Sequence, residues 1–207
     1  MNLDFEHAAA VPLGALTALQ GLRDCGGLTA GERVVILGAS GGVGTFAVPI
    51  AKHLGAHVTG IASTPNLDLV RSLGADDVID YTRDDITERA DKFDLVFELG
   101  GTRSPRVLRR ALKRNGRLVL SSGQSSGRWL GPVDRILLAA VLSPFVSQTL
   151  RSFVAAPRAA DLEQVARLVQ SCVLTPVIEG TYPLGELPDA LRRIESAHTR
   201  GKLVVTV

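Results

Sequence analysis

One stretch constrains this chain more than any other: Arg33-Val34-Val35-Ile36-Leu37 runs directly into Gly38-Ala39-Ser40-Gly41-Gly42-Val43-Gly44. The apolar residues of the first part are continuous rather than alternating, as a strand covered on both faces requires. Residues Thr45 to Leu54 then carry a helical pattern that stops at Gly55. A buried strand, a glycine turn and a helix in immediate succession open a βαβ unit.

The rest of the chain repeats that alternation. His57 to Ala62 is a second predicted strand, Asn66 to Leu73 a helix stopped by Gly74, and Asp77 to Tyr81 a third strand. Phe93 to Leu99 makes a fourth strand, Ser104 to Arg114 a helix ending near Asn115-Gly116, and Arg117 to Ser121 a fifth strand. Connections this short imply right-handed crossovers and a parallel sheet with helices on both faces. Farther on, the pattern predicts a helix at Pro132 to Leu142, a sixth strand within Phe145 to Val154 and an amphipathic helix at Ala159 to Cys172. Two more strand-like runs, Pro176 to Leu184 and Lys202 to Val207, flank a helix from about Gly185 to Ala197.

The turn reads Ala-x-Gly-x-x-Gly at Ala39, Gly41 and Gly44, with alanine at the first glycine position. One small residue permits the tight turn, Gly41 admits a pyrophosphate close to backbone, and Gly44 lets the helix pack on the strand. Exposed N–H groups and the positive end of the helix dipole would meet the phosphate charge. A glycine turn alone has a purely structural reading; its place between a strand and a helix favours dinucleotide binding.

The second strand bears on which dinucleotide. Binders of NAD usually place an acid at its end to hold the ribose 2′-hydroxyl. Here the strand ends Gly60-Ile61-Ala62-Ser63-Thr64-Pro65-Asn66, with no carboxylate to repel a 2′-phosphate and two hydroxyls able to donate to one. The reading favours NADPH over NADH, although no arginine or lysine is obviously placed to pair with the phosphate.

Composition excludes several alternatives. A net charge of +2 over 207 residues does not point to nucleic acid, and the basic residues are dispersed. Cys25 and Cys172 are far apart and the four histidines form no cluster with them, so neither a disulfide framework nor a metal site is expected. The greasiest run, Ile136 to Leu142, is far short of the about 20 residues that span a bilayer as a helix. With no secretory leader recognisable at Met1, a cytoplasmic setting is expected.

Four separated motifs then resemble one family. Ala8-Ala9-Ala10-Val11-Pro12-Leu13-Gly14-Ala15-Leu16-Thr17-Ala18, the turn Gly38 to Gly44, Leu73-Gly74-Ala75-Asp76-Asp77-Val78-Ile79-Asp80-Tyr81, and Gly201-Lys202-Leu203-Val204-Val205 resemble the zinc-independent quinone oxidoreductase branch of the medium-chain dehydrogenase/reductases. The resemblance implies a Rossmann doubly wound parallel sheet, with short remnants of a GroES-like catalytic domain at both ends. Residues 1–27 and 173–207 would be those remnants, and 28–172 the dinucleotide-binding domain.

By position, the resemblance implies that Thr17 sits by the nicotinamide and that Ala39, Ser40, Gly41, Gly42, Val43 and Gly44 hold the pyrophosphate. Ala62, Ser63 and Thr64 would meet the adenosine ribose, with Tyr81 beside the 2′-phosphate or adenine. Gly101 and Thr102 match the loop after the fourth strand, and Ser121, Ser122 and Gly123 the loop under the nicotinamide. Thr17 and Tyr81 also have a plain reading, as a helix hydroxyl bonded to its own backbone and as strand-end packing. Where NADPH-dependent members often carry a lysine after the second strand, this chain has Asn66. No catalytic residue is assigned.

The implied activity is hydride transfer from NADPH to a quinone or activated carbonyl. Family members begin with a barrel of more than a hundred residues that this sequence lacks, so cofactor binding is expected to outlast turnover. A homodimer formed through Phe145 to Val154 is implied as well. Two alternatives stay open: an NADPH-binding module without turnover, and an interaction protein using exposed strands.

Overall fold

The computed structural model describes residues 3–86, 92–100, 103–121, 146–196 and 199–207. Its centre is a six-stranded sheet. The strands are β1 (Arg33–Leu37), β2 (His57–Ala62), β3 (Asp77–Asp80), β4 (Phe93–Glu98), β5 (Leu112–Ser121) and β6 (Thr149–Phe153). They lie in the order β3-β2-β1-β4-β5-β6, every neighbouring pair parallel. The chain builds outward from β1 to β3 on one side, then returns to the other side of β1 with β4. That reversal opens a crevice at the carboxyl ends of β1 and β4, where such folds bind ligands.

The helices are α1 (Phe5–Ala10), α2 (Pro12–Gln20), α3 (Gly44–His53), α4 (Leu67–Ser72), α5 (Pro105–Leu108), α6 (Ala159–Gln170) and α7 (Leu187–Glu195). Strands β7 (Ile178–Pro183) and β8 (Lys202–Thr206) form a separate parallel pair. Burial follows the pleat. Val34, Ile36, Val58, Leu95, Phe97 and Val119 face one cluster with Leu16, Leu19 and Phe46 of α2 and α3 and Val165 and Leu168 of α6. Val35, Leu37, Ile61, Ile79, Val96, Leu118 and Leu120 face the other, against Ile86, Leu108 and Ala111. Both faces are covered, which is why these strands read as unbroken apolar runs.

One element departs from its sequence pattern. The predicted helix Ser104 to Arg114 ends early: α5 stops at Leu108, a single tight turn follows over Arg109–Ala111, and β5 begins at Leu112. Leu112 pairs with Phe93, and the ladder then shifts so that Leu95 faces Arg117. Leu112 and Ala111 are fully buried in the second cluster, so the sheet's demand for apolar cover overrides the helical spacing. The predicted helix at Pro132 to Leu142 lies outside the described residues.

A polar knot ties α2 to α6. Gln20 Nε2 donates to Asp161 Oδ2 at 2.7 Å and to the Ala156 carbonyl at 2.7 Å, while the Ala156 N–H donates back to Gln20 Oε1 at 3.0 Å. Arg23, in the π-helical turn that continues α2, donates to Asp161 Oδ1 at 2.7 Å. Replacing Asp161 by alanine removes one hydrogen bond from each donor, Gln20 keeping the Ala156 carbonyl and Arg23 keeping Asp24 and Gln164, and should cost about 2 kcal/mol, roughly 1 kcal/mol for each lost bond. The expected fall in Tm is roughly 4–8 °C by calorimetry.

The Arg23 hydrogen bond holds the Asp161 carboxyl below the ordinary carboxylate range, and the same guanidinium does so for Asp24. Their folded-state pKa values are depressed, so their contribution is complete above the unfolded value near about 4 and fades as pH falls through the folded values. Urea midpoints should be flat from neutral pH to about 5 and drop below about 4, less steeply in Asp161→Ala.

Candidate cofactor site

The glycine turn is built by close backbone approach. Gly38 adopts φ +78°, the left-handed region, and its carbonyl accepts the Gly41 N–H at 3.1 Å. A Cβ on Gly44 would stand 2.1 Å from the Gly38 carbonyl oxygen and 2.6 Å from Ala39 Cα. Only glycine lets α3 begin there. The alanine at the first glycine position has its own reason: Ala39 is fully buried, and Gly60 of β2 makes room for its methyl, since a Cβ on Gly60 would lie 3.2 Å from it. The Gly42 and Val43 amides take no acceptor among the described residues. Two donors at the start of a helix are therefore left for a ligand to accept from, the arrangement an anion needs.

Over this turn lies a cleft of about 630 Å³. Ser40, Gly41, Gly42, Val43 and Gly44 line its floor, and Ala62, Ser63, Asn66 and Tyr81 line the end beside β2 and β3. Ser121, at the end of β5, lines it too. Ala39 lies beneath the floor. Thr64 does not line the cleft; its hydroxyl is committed to the Asp80 carboxylate, which also accepts from the Thr82 hydroxyl at 2.7 Å and the Thr82 N–H at 3.0 Å. Those hydrogen bonds, Thr64 first, keep the Asp80 carboxyl below its usual range. Thr17 is buried, gives its hydroxyl to the Leu13 carbonyl at 2.7 Å and is not part of the cleft wall. Gly101, Thr102, Ser122 and Gly123 lie outside the described residues.

Several walls were not assigned from sequence. Glu98, 1% exposed at the end of β4, lines the crevice together with Gly100 and Arg103. The acid that closes the apolar run Leu95-Val96-Phe97 was the available signal. Thr199 and Lys202 enter from the far end of the chain. Asn66 is 8% exposed; its Nδ2 donates to Ser63 Oγ at 3.2 Å while its Oδ1 has no partner among the described residues. An orphaned buried amide oxygen beside Ser63 and Tyr81 fits a ligand that supplies the missing hydrogen bond.

Sequence comparison decides the family. The pattern described as zinc-binding dehydrogenase matches residues 73–205, more than half of the chain. This chain belongs to the zinc-binding dehydrogenase family. Among relatives, a mitochondrial NAD(P)H oxidoreductase of Mus musculus is 37% identical over 227 residues, covering all of this chain and 57% of that protein. A chloroplastic NADPH-dependent alkenal/one oxidoreductase of Arabidopsis thaliana is 33% identical, covering 99% of this chain and 48% of that one. The quinone oxidoreductase of Coxiella burnetii superimposes with a TM-score of 0.84 at 28% identity, over 99% of this chain and 62% of that structure. The chain thus spans about half the length of these zinc-binding dehydrogenase relatives. Among its described residues no three His, Cys, Asp or Glu side chains converge as metal ligands, and no helix is long and apolar enough to cross a membrane.

Proposed function

We infer that this chain binds NADPH along the crevice, with the diphosphate on the Gly41–Gly44 turn, the adenosine ribose toward Ser63, Asn66 and Tyr81, and the nicotinamide toward Ser121. The observation that carries the reading is the pair of N–H groups, at Gly42 and Val43, that have no acceptor among the described residues and lie beneath a cleft that runs to the sheet's switch point. Ser63 accepts from Asn66 and keeps its own hydroxyl hydrogen to give, which suits the phosphate oxygens of a 2′-phosphate. When bound, the cofactor supplies a hydride; the chain orients it and shields its phosphates. The names of the relatives support a quinone or an activated carbonyl as acceptor.

Titration of the 207-residue chain with NADPH and NADH, followed by nicotinamide fluorescence, tests the binding. Saturable enhancement with NADPH, tighter than with NADH, is expected; no response to either would remove the oxidoreductase reading and leave an interaction protein. Oxidation of NADPH with ortho- and para-quinones and an enone then tests turnover. A flat trace at saturating cofactor would reduce the chain to a binding module.

We further take residues 28–172 as the dinucleotide-binding unit and 1–27 with 173–207 as a second one, since β7 and β8 form their own sheet. The outer edge of β6 supports a two-fold dimer, which light scattering would reveal as twice the monomer mass. Unpaired thiols at Cys25 and Cys172 suit a reducing compartment such as the cytoplasm.

A further inference from the structure

Lys202 stands at the glycine turn with no counter-charge among the described residues. Strand β8 reaches that place through Gly201, whose φ of +69° and N–H, donated to the Ser40 carbonyl at 2.8 Å, pin the strand to the turn. Lys202 N–H donates to the Val177 carbonyl at 2.8 Å, so the backbone here is held both by the glycine turn and by the segment leading into β7. Its side chain then threads between two glycines. A Cβ on Gly14 of α2 would stand 2.9 Å from Lys202 Cε, and a Cβ on Gly42 would stand 3.2 Å from Lys202 Nζ. Both glycines clear a path that ends on the cleft floor, where Lys202 is one of the lining residues. Among the described residues, Nζ has no hydrogen bond and no carboxylate within ion-pair distance.

A half-buried ammonium without a partner is costly in the empty protein, and an anion placed beside it relieves that cost while keeping the charge. Burial alone pulls its pKa below the ordinary lysine range, and no anion opposes the shift. The N–H groups of Gly42 and Val43, on the same cleft floor and without an acceptor among the described residues, call for the same kind of ligand; the Glu98 carboxylate also lines this cleft, but not within ion-pair distance of Nζ.

We propose that Lys202 pairs with the diphosphate of the bound dinucleotide, closing over the glycine turn from the second sheet. The assignment rests on the cofactor reading above and adds to it a residue outside the nucleotide-binding unit. The second sheet then becomes part of the cofactor site: a phosphate oxygen held by the turn amides on one side receives a charge-assisted hydrogen bond from Nζ on the other. Because the diphosphate is common to both nicotinamide dinucleotides, the contact strengthens each alike.

The test compares the wild-type chain with Lys202→Met and Lys202→Arg in fluorescence titrations of NADPH and NADH at several NaCl concentrations, with thermal melts of the unliganded proteins. Lys202→Met should weaken both cofactors by about 10- to 100-fold, the loss of one charge-assisted contact. Its affinity should also respond less to salt, and its unliganded Tm should match or exceed wild type. Lys202→Arg should recover most of the affinity. Wild-type binding with an unchanged Lys202→Met affinity and salt slope overturns the assignment alone, as does a loss confined to NADPH, which would put the lysine on the 2′-phosphate. Failure of the wild type to bind either dinucleotide overturns the cofactor reading and the assignment with it. A lowered Tm with an unaltered salt slope would make Lys202 structural.

Discussion

Replacing Gly44 with alanine abolishes detectable dinucleotide binding and lowers the melting temperature, the largest effect expected of any single change in this chain. The new methyl meets backbone: the Gly38 carbonyl oxygen at 2.1 Å, and the Ala39 carbonyl carbon and Cα at 2.6 Å. No rotamer relieves such a clash, so either the turn or the first turn of α3 must shift. Overpacking of this kind costs about 3 kcal/mol at the upper end of its range, which for a chain of this size lowers Tm by roughly 6–12 °C. The turn amides move with the backbone, and affinity for NADPH should fall by at least about 100-fold, since their placement is what binds the phosphates. Gly41→Ala is the informative partner. Its Cβ would touch only the Gly38 carbonyl oxygen, at an ordinary 3.4 Å, while Gly41 lines the cleft. That variant should melt like wild type and still bind weakly. Equal behaviour of the two variants in calorimetry and fluorescence titration would refute this account of the turn.

The second large effect concerns discrimination between cofactors. Asn66→Asp should raise the Kd for NADPH by about 30-fold and leave that for NADH within about threefold. The substitution is nearly isosteric and keeps an acceptor oxygen where Oδ1 now lacks a partner. It adds a negative charge beside Ser63 and Tyr81, where the 2′-phosphate is proposed to lie. Two like charges a few ångströms apart in a partly buried site repel by about 2 kcal/mol after screening, which is near 30-fold. Paired titrations of both cofactors with both proteins measure the ratio directly. An unaltered NADPH-to-NADH ratio would move the adenosine ribose away from Asn66.

What the sequence carried is local, and what it missed is long-range. β1 and β2 begin and end where their apolar runs do, because each strand is buried on both faces and the run is the burial. The turn was legible because Gly41 and Gly44 answer to neighbours within six positions. The helix expected through Arg114 was not, since Leu112 is claimed by Phe93 across the sheet. The hydroxyl of Thr64 looked equivalent to that of Ser63 as a donor; the fold commits it to Asp80 and leaves Ser63 at the cleft, while Thr17 takes its plain reading, a helix hydroxyl bonded to the Leu13 carbonyl. Lys202 was visible only as part of a motif. Nothing in the residues around it says that its stem will lie between Gly14 and Gly42.

The bond from Gly201 to Ser40 joins segments more than 150 positions apart, and Thr181 Oγ1 reaches Glu6 Oε2, at 3.0 Å, across 175. Contacts of such separation carry the largest loop-closure entropy in the chain. The central sheet can therefore zip up along its short crossovers before the two chain ends meet, and the last stage of folding is the arrival of the tail at the turn. Maturation of the phosphate-binding corner is thereby deferred until almost everything else is in place.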